Sequence, residues 1–241
     1  MSVWAIADLH LSFGKPKPMD RFGTRWEGHA EKIAERWRAV VRDGDTVVIP
    51  GDISWADDLS GAEADFAFID ALPGRKLFGK GNHDYWWTSV TKMTRFFAER
   101  GFSSLGFLYN NAVSAEGLVL AGSRGWFLDE RQQTVIPADY AKLVNRECER
   151  LTISLRAAEE LRKAEGIGAP PAVFLHFPPV YGDFRLDPLI DVLTSFGVKR
   201  CYAGHIHGQY GAPPYGDFRG IRFYNIAADY LNFTPLPVLL S

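Results

Sequence analysis

The sequence is short of cysteine, of net charge and of long apolar runs, and each shortage removes a class of protein. Two cysteines in 241 residues are too few for a disulfide framework of the kind that staples small secreted domains. Cys148 falls in a helical pattern and Cys201 beside a strand, so both read as reduced packing residues. The formal net charge is -2, with 27 basic and 29 acidic side chains. The basic residues are scattered, so no polyelectrolyte surface marks a nucleic-acid partner, although a nucleotide remains an admissible substrate. No apolar run approaches the roughly 20 residues of a membrane span, and the stretch from Met1 to Asp8 lacks the basic and apolar regions of a secretion signal. The expected location is the cytoplasm, with no membrane partner.

What is present is the balance of an ordinary globular chain, 46% apolar and 23% charged. A length in the range of about 200 to 250 residues is routine for one large core, so a single domain spanning residues 1–241 is expected. Short apolar runs rich in β-branched and aromatic residues alternate with longer amphipathic stretches. Strands are predicted at residues 2–7, 46–50 and 76–79, and helices at 29–42, 62–72 and 88–100, giving repeated β-α units. Close-spaced strands follow at 107–109, 112–114 and 118–122. From 138 to about 165, apolar positions Ala141, Val144, Cys148, Leu151, Leu155, Ala158 and Leu161 recur in steps of three and four, one stripe of a long helix. Strands are expected again at 172–176, 200–203, 222–226 and 238–240, with a helix at 188–196. Mixed strands flanked by helices favour a layered α/β sandwich over a purely parallel sheet.

Five of the six histidines follow strand candidates, each beside a carboxylate, an amide, a glycine or another histidine. The segments are Asp8-Leu9-His10, Gly51-Asp52, Gly81-Asn82-His83-Asp84, His176 and Gly204-His205-Ile206-His207. In an Asp-x-His step continued as a strand, side chains two apart point the same way, so Asp8 and His10 can share one metal, and His205 and His207 follow the same logic. Gly51, Gly81 and Gly204 precede the polar groups, where a missing Cβ permits sharp turns and close backbone approach.

These blocks, in this order, resemble the motif series of calcineurin-like metallophosphoesterases, and the form His176-Phe177-Pro178-Pro179 resembles their small bacterial phosphohydrolase and phosphodiesterase branch. The resemblance covers positions 8 to 207. It implies a four-layer α/β/β/α sandwich with mixed sheets and two divalent metal ions. Carried over residue by residue, it implies that Asp8, His10 and His207 bind one ion, that Asn82, His176 and His205 bind the other, and that Asp52 bridges them. A hydroxide between the ions would attack phosphorus. His83 would act on the scissile group as the catalytic histidine, with Asp84 orienting it. Imidazole, carboxylate and amide donors without thiolate suit manganese, iron, zinc or nickel.

Two departures narrow the expectation. Ser/Thr protein phosphatases of this superfamily continue the second motif as Asp-Arg-Gly, whereas Ile53 follows Asp52 here; the purple acid phosphatase branch needs a tyrosine where Trp55 stands. The expected substrate is therefore a small-molecule phosphate ester, a phosphodiester or nucleotide-like compound. A phosphomonoesterase, a protein phosphatase, a nuclease and a non-catalytic scaffold of the same fold are the alternatives. Tyr85, Trp86 and Trp87 are candidates for an aromatic substrate wall, and Arg124 for a bidentate phosphate contact. His29 reads as a surface or near-cap residue, and Asp57 and Asp58 as solvated loop residues.

Overall fold

The structure, a computed structural model, describes residues 1–126, 139–211 and 215–239. Strand β2 (Thr46–Ile49), strand β7 (Ala172–Leu175) and strand β10 (Arg200–Ala203) are buried at every position. Burial on both faces explains why the sequence shows short continuous apolar runs there instead of alternation.

In the first sheet β1 (Val3–Ala5), β2, β3 (Arg75–Phe78) and β4 (Leu105–Phe107) run parallel, and β13 (Leu236–Pro237) pairs antiparallel to β1 at the edge. Parallel neighbours need long crossovers, and three helices supply them: α1 (His29–Val40), α2 (Glu63–Asp70) and α3 (Val90–Arg100). In the second sheet β6 (Leu118–Ser123), β7, β10 and β12 (Ile221–Asn225) are parallel, with β5 (Asn111–Ala115) and β11 (Tyr215–Phe218) antiparallel at its edges. Helices α4 (Tyr140–Glu165) and α5 (Asp187–Ser195) belong to this half. A two-stranded hairpin, β8 (Val180–Tyr181) and β9 (Phe184–Arg185), precedes α5.

Three apolar clusters define four layers. Val47, Ile49 and Phe78 pack against Ile33, Trp37, Phe66, Ile69, Met93 and Phe97 of the first three helices. Their strand neighbours Val48 and Leu77 face the other way, into a seam shared with Leu120, Phe174 and Tyr202 of the second sheet. Beyond it, Val119, Val173, Leu175 and Cys201 meet Leu151, Leu155, Leu189 and Leu193 of α4 and α5. Successive strand residues alternate between faces, so each sheet feeds two clusters and the order α/β/β/α follows.

Most element ends fall within a residue or two of expectation. The strand expected at 107–109 sits at Leu105–Phe107. The hairpin β8–β9 closes through Gly182-Asp183, with φ 52° at Gly182, and is too short to show as an alternating run. Near the C-terminus the strand is Leu236–Pro237; its proline is tolerated because β13 is an edge strand. Residues 138 and 240 of the expected elements lie outside the described residues. No helix among the described residues is long and apolar enough to cross a membrane.

Candidate metal centre

Every residue of the expected ligand set lies beyond the carboxyl end of a parallel strand: Asp8 and His10 follow β1, Asp52 follows β2, Asn82 follows β3, His176 follows β7, and His205 and His207 follow β10. These ends are where open α/β sheets collect ligands. The two sheets meet there, because Ala7 beyond β1 forms a parallel bridge with Ala227 beyond β12. Glycine is required for the approach: a Cβ on Gly204 would lie 2.3 Å from Asp8 Oδ2, and one on Gly81 would lie 2.0 Å from Asp52 Oδ1.

The side chains do not converge by strand alternation. Asp8, His10, Asp52 and His205 all adopt the left-handed backbone region, with φ of 60°, 47°, 52° and 71°. A conformation of this kind costs a non-glycine residue roughly 1 kcal/mol or more and persists only where its surroundings hold it. Here the Asp8 N–H donates to Gly51 O and the His10 N–H to Asp52 O, each at 3.0 Å, while the His205 N–H donates to Asp8 Oδ2 at 2.9 Å. Tight turns braced across neighbouring loops aim these groups, in place of the pleat that the sequence suggests.

The resulting geometry gathers the set. Asp8, His10 and His207 present ligand atoms within 4.8 Å of one another, as do Asp8, Asp52 and His176. His10 Nε2 faces His207 Nε2 at 3.3 Å. Asp52 Oδ2 reaches both groups, 3.8 Å from His10 Nε2 and 3.6 Å from His176 Nε2. Asn82 Oδ1 is 2.7 Å from His176 Nε2, and the His205 ring centroid is 5.2 Å from that of His176.

The electrostatics suit a cation. Burial pushes the Asp8 carboxyl up to about 7; burial, then the charges of Asp8 and Asp84, hold Asp52 well above the usual carboxylate range. Burial and neighbouring imidazoles hold His10 and His176 neutral. Asp8 Oδ1, His10 Nδ1 and His176 Nδ1 are buried with no hydrogen-bond partner, which is rare for polar atoms in an interior. Mutually repelling carboxylates beside neutral imidazoles with free lone pairs form a donor set that divalent ions satisfy.

A carboxylate that sequence reasoning missed orients His207. Asp229, fully buried beyond β12, accepts hydrogen bonds from His207 Nδ1 at 2.8 Å, the Gly208 N–H at 3.0 Å and the Tyr210 hydroxyl at 3.0 Å. Burial alone would raise Asp229, but the hydrogen bond from His207 and its charge keep it low. Burial likewise works against His207, yet the Asp229 bond and the Asp8 charge lift it. The bond fixes the tautomer and leaves His207 Nε2 turned toward Asp8 Oδ1, 3.9 Å away. The available signal was an acidic residue just past a strand end, the relation that Asp8 and Asp52 also have.

His83 is not among the candidate ligands. Its ring centroid lies 4.3 Å from Trp55 and 5.7 Å from His10, and burial, then the charges of Lys17 and His207, lower it to about 4. It lines a cavity of about 740 Å³ together with His10, Asp52, Trp55, His205 and His207, and with the aromatics Phe22, Trp26, Tyr181 and Tyr210. Lys17 also lines it; its loop offers no sequence signal.

The expected roles of Asp84 and Trp86 change. Asp84 does not orient the His83 ring. Its carboxylate accepts backbone N–H groups of Gly81 at 2.7 Å, Ile53 at 2.8 Å and Asp52 at 2.9 Å, plus Trp86 Nε1 at 3.0 Å, so it builds the turn that carries Asp52. Trp86 is buried in the core against Phe66 instead of forming a substrate wall. Tyr85 is exposed, with its ring 6.1 Å from His83. Trp87 packs on Phe107 and Tyr109. Arg124 sits 5.2 Å from the Phe177 ring and accepts the His176 N–H on its backbone oxygen at 3.1 Å. His29 opens α1 with its Nε2 3.2 Å from His10 O. Asp57 is exposed and pairs with Lys15, and Asp58 accepts the Gly61 N–H.

The sequence profile described as calcineurin-like phosphoesterase matches residues 1–209. Gene 66 protein of Mycobacterium phage L5 is 34% identical over 83 residues, which is 34% of this chain and 40% of the phage protein. The match thus spans less than half of that relative. Among solved structures, phosphopantetheinyl hydrolase (PptH) from Mycobacterium tuberculosis superposes with a TM-score of 0.55 at 13% identity, over 100% of this chain and 96% of that one. At that identity the likeness is one of fold.

Proposed function

The chain belongs to the calcineurin-like phosphoesterase family, a family of phosphate ester hydrolases, and from that membership we propose that it hydrolyses a phosphodiester or nucleotide-like small molecule with two divalent metal ions. The observation that carries this reading is the position of Asp52 Oδ2 within 3.8 Å of His10 Nε2 and 3.6 Å of His176 Nε2, on the two sides of one centre. In this reading Asp8, His10 and His207 hold one ion, Asn82, His176 and His205 the other, and Asp52 both. The donor set favours manganese, iron, zinc or nickel. When bound, such a pair supplies a water acidified toward neutral pH and a clamp for in-line displacement.

The chain's own groups do the rest. Ligand-bearing turns hold their donors before substrate arrives, so little reorganisation accompanies the reaction. His83, neutral at pH 7 because its affinity for protons is lowered to about 4, offers a ring N–H to the phosphoryl or leaving oxygen, a role that needs no imidazolium. Trp26 packs T-shaped against His10 and His207, with centroids 5.8 and 5.6 Å away, and lines the cavity beside them.

The diester preference is supported by buried Ile53 after Asp52, where an arginine is absent, and by the aromatic faces of Phe22, Tyr181 and Tyr210 around the cavity, on which a planar leaving group can stack. Two free cysteines accord with a reducing, cytoplasmic setting. The test is turnover of paired aryl phosphodiester and phosphomonoester substrates by protein loaded in turn with each of the four metals. Metal-dependent hydrolysis with the diester preferred is expected; no turnover of either ester, or of a following nucleotide panel, by protein holding two ions would overturn the reading.

A further inference from the structure

The loop after β1 brings a cation to the cavity from outside the metal-binding blocks. Lys17 is half-buried, and its Nζ lies 2.9 Å from the centroid of the Trp55 ring. The same indole stacks on His10 at 4.9 Å and touches His83 at 4.3 Å. One buried tryptophan thus sets the ammonium beside a ligand and beside the catalytic histidine. Lys17 is also the one Lys or Arg among the described residues lining the cavity.

The loop is built to hold it there. The Phe13 N–H donates to Asp65 Oδ1 of α2 at 2.8 Å, and Ser12 Oγ donates to Lys17 O at 3.2 Å. Asp65 also accepts from the hydroxyl of Ser54, next to Trp55, so this loop and the Asp52 loop share one buried carboxylate. Neighbouring Lys15 is exposed and paired with Asp57 at 2.6 Å. Lys17, in contrast, makes no ion pair among the described residues, and Asp52 is the carboxylate whose charge acts on it. A π face attracts an ammonium but accepts none of its three N–H bonds in the usual sense, so those donors are left for a ligand.

We propose that Lys17 binds the non-bridging oxygens of the substrate's phosphoryl group, from the face formed by Trp55 and His83. The inference rests on the phosphoesterase reading and adds to it a substrate-binding residue that none of the motif blocks contains. It also gives a site with Ile53 after Asp52 a positive charge from the preceding loop, beside the Arg124 charge that acts on Asp52. Trp55, where another branch would need a tyrosine, is the platform that carries it.

The test compares wild type, Lys17→Met and Lys17→Arg, all metal-loaded, by elemental analysis, by calorimetric binding of inorganic phosphate, and by kcat/KM on the aryl diester. Lys17→Met is expected to keep its metal content while losing phosphate affinity and kcat/KM by about 10- to 100-fold, the loss of one charge-assisted hydrogen bond; Lys17→Arg recovers most of both. Unchanged phosphate affinity in Lys17→Met, beside an active wild type, would overturn the Lys17 assignment and leave the phosphoesterase reading standing. Loss of metal in Lys17→Met would overturn it too, by making the residue a support for the ligands. A wild type that neither binds phosphate nor hydrolyses esters would overturn both.

Discussion

Asp84 and Asp52 brace each other's loops: Asp84 Oδ2 accepts the Asp52 N–H at 2.9 Å, and Asp52 Oδ1 accepts the His83 N–H at 2.8 Å. Asparagine at 84 keeps one acceptor oxygen where several backbone donors converge and turns an NH2 toward the rest. Asp84→Asn should cost about 3 kcal/mol of stability in metal-free protein, the scale of a broken buried charged network, and should weaken metal binding. Denaturant unfolding and metal titration measure both. A variant of native stability with only turnover reduced would instead match a partner of the His83 ring.

His83→Ala should retain its metal content and lose turnover by about 10²- to 10³-fold, the usual contribution of a preorganised hydrogen-bond donor to developing charge. Elemental analysis beside kcat decides; loss of an ion would make His83 a ligand.

Asp229→Asn should reduce metal affinity by about 10- to 100-fold, because the amide no longer anchors His207 Nδ1 as a charged acceptor. Tyr210→Phe removes only the outer hydrogen bond and should weaken affinity less. Competition against a chromogenic chelator ranks the two, and an order with Tyr210→Phe the weaker binder would contradict the relay through Asp229.

Asp45 joins the starts of the first two strands, accepting the Ser2 N–H at 2.7 Å, the Arg42 N–H at 2.9 Å and Trp4 Nε1 at 3.1 Å. Burial would raise its carboxyl, but these bonds hold it below the usual value. A lowered folded pKa means that the unfolded chain takes up the proton first as pH falls. The stabilisation is therefore complete above the unfolded value and disappears as pH drops through the folded one. Asp45→Asn should lower stability at pH 7 by about 1 kcal/mol, with the gap from wild type closing below about pH 4. A gap that is constant with pH would exclude the charged form as its source.

The sequence shows the fold where strands are buried on both faces and helices carry one stripe, because those patterns arise from local periodicity. It shows the candidate ligand set because His and Asp collect beyond strand ends. It cannot show what depends on turns. His83 and Asp84 are adjacent in the chain, yet the first lines the cavity while the second is buried under the Asp52 turn. Tyr85 and Trp86 diverge in the same way, one exposed and one in the core. Asp229 and Lys17 act through residues more than twenty positions away, and neither sits in a motif that announces a partner. The left-handed turns at Asp8, His10, Asp52 and His205 are tertiary products, held by hydrogen bonds from other loops.

Asp8, Asp52 and Asn82 belong to the first sheet, and His176, His205 and His207 to the second. On the proposed reading, ions held by both would act as rivets between two leaves that otherwise adhere through an apolar seam, and unfolding of either leaf would release them. Chelation should then loosen the architecture along with the chemistry, and raising free metal should raise the melting temperature by mass action. The same fastening works in reverse. Phe174 and Tyr202, stacked at 5.1 Å on neighbouring strands of the second sheet, pack in the seam with Val48 and Leu77 of the first, so a change of side-chain volume there should alter the span between the candidate ligands without touching one.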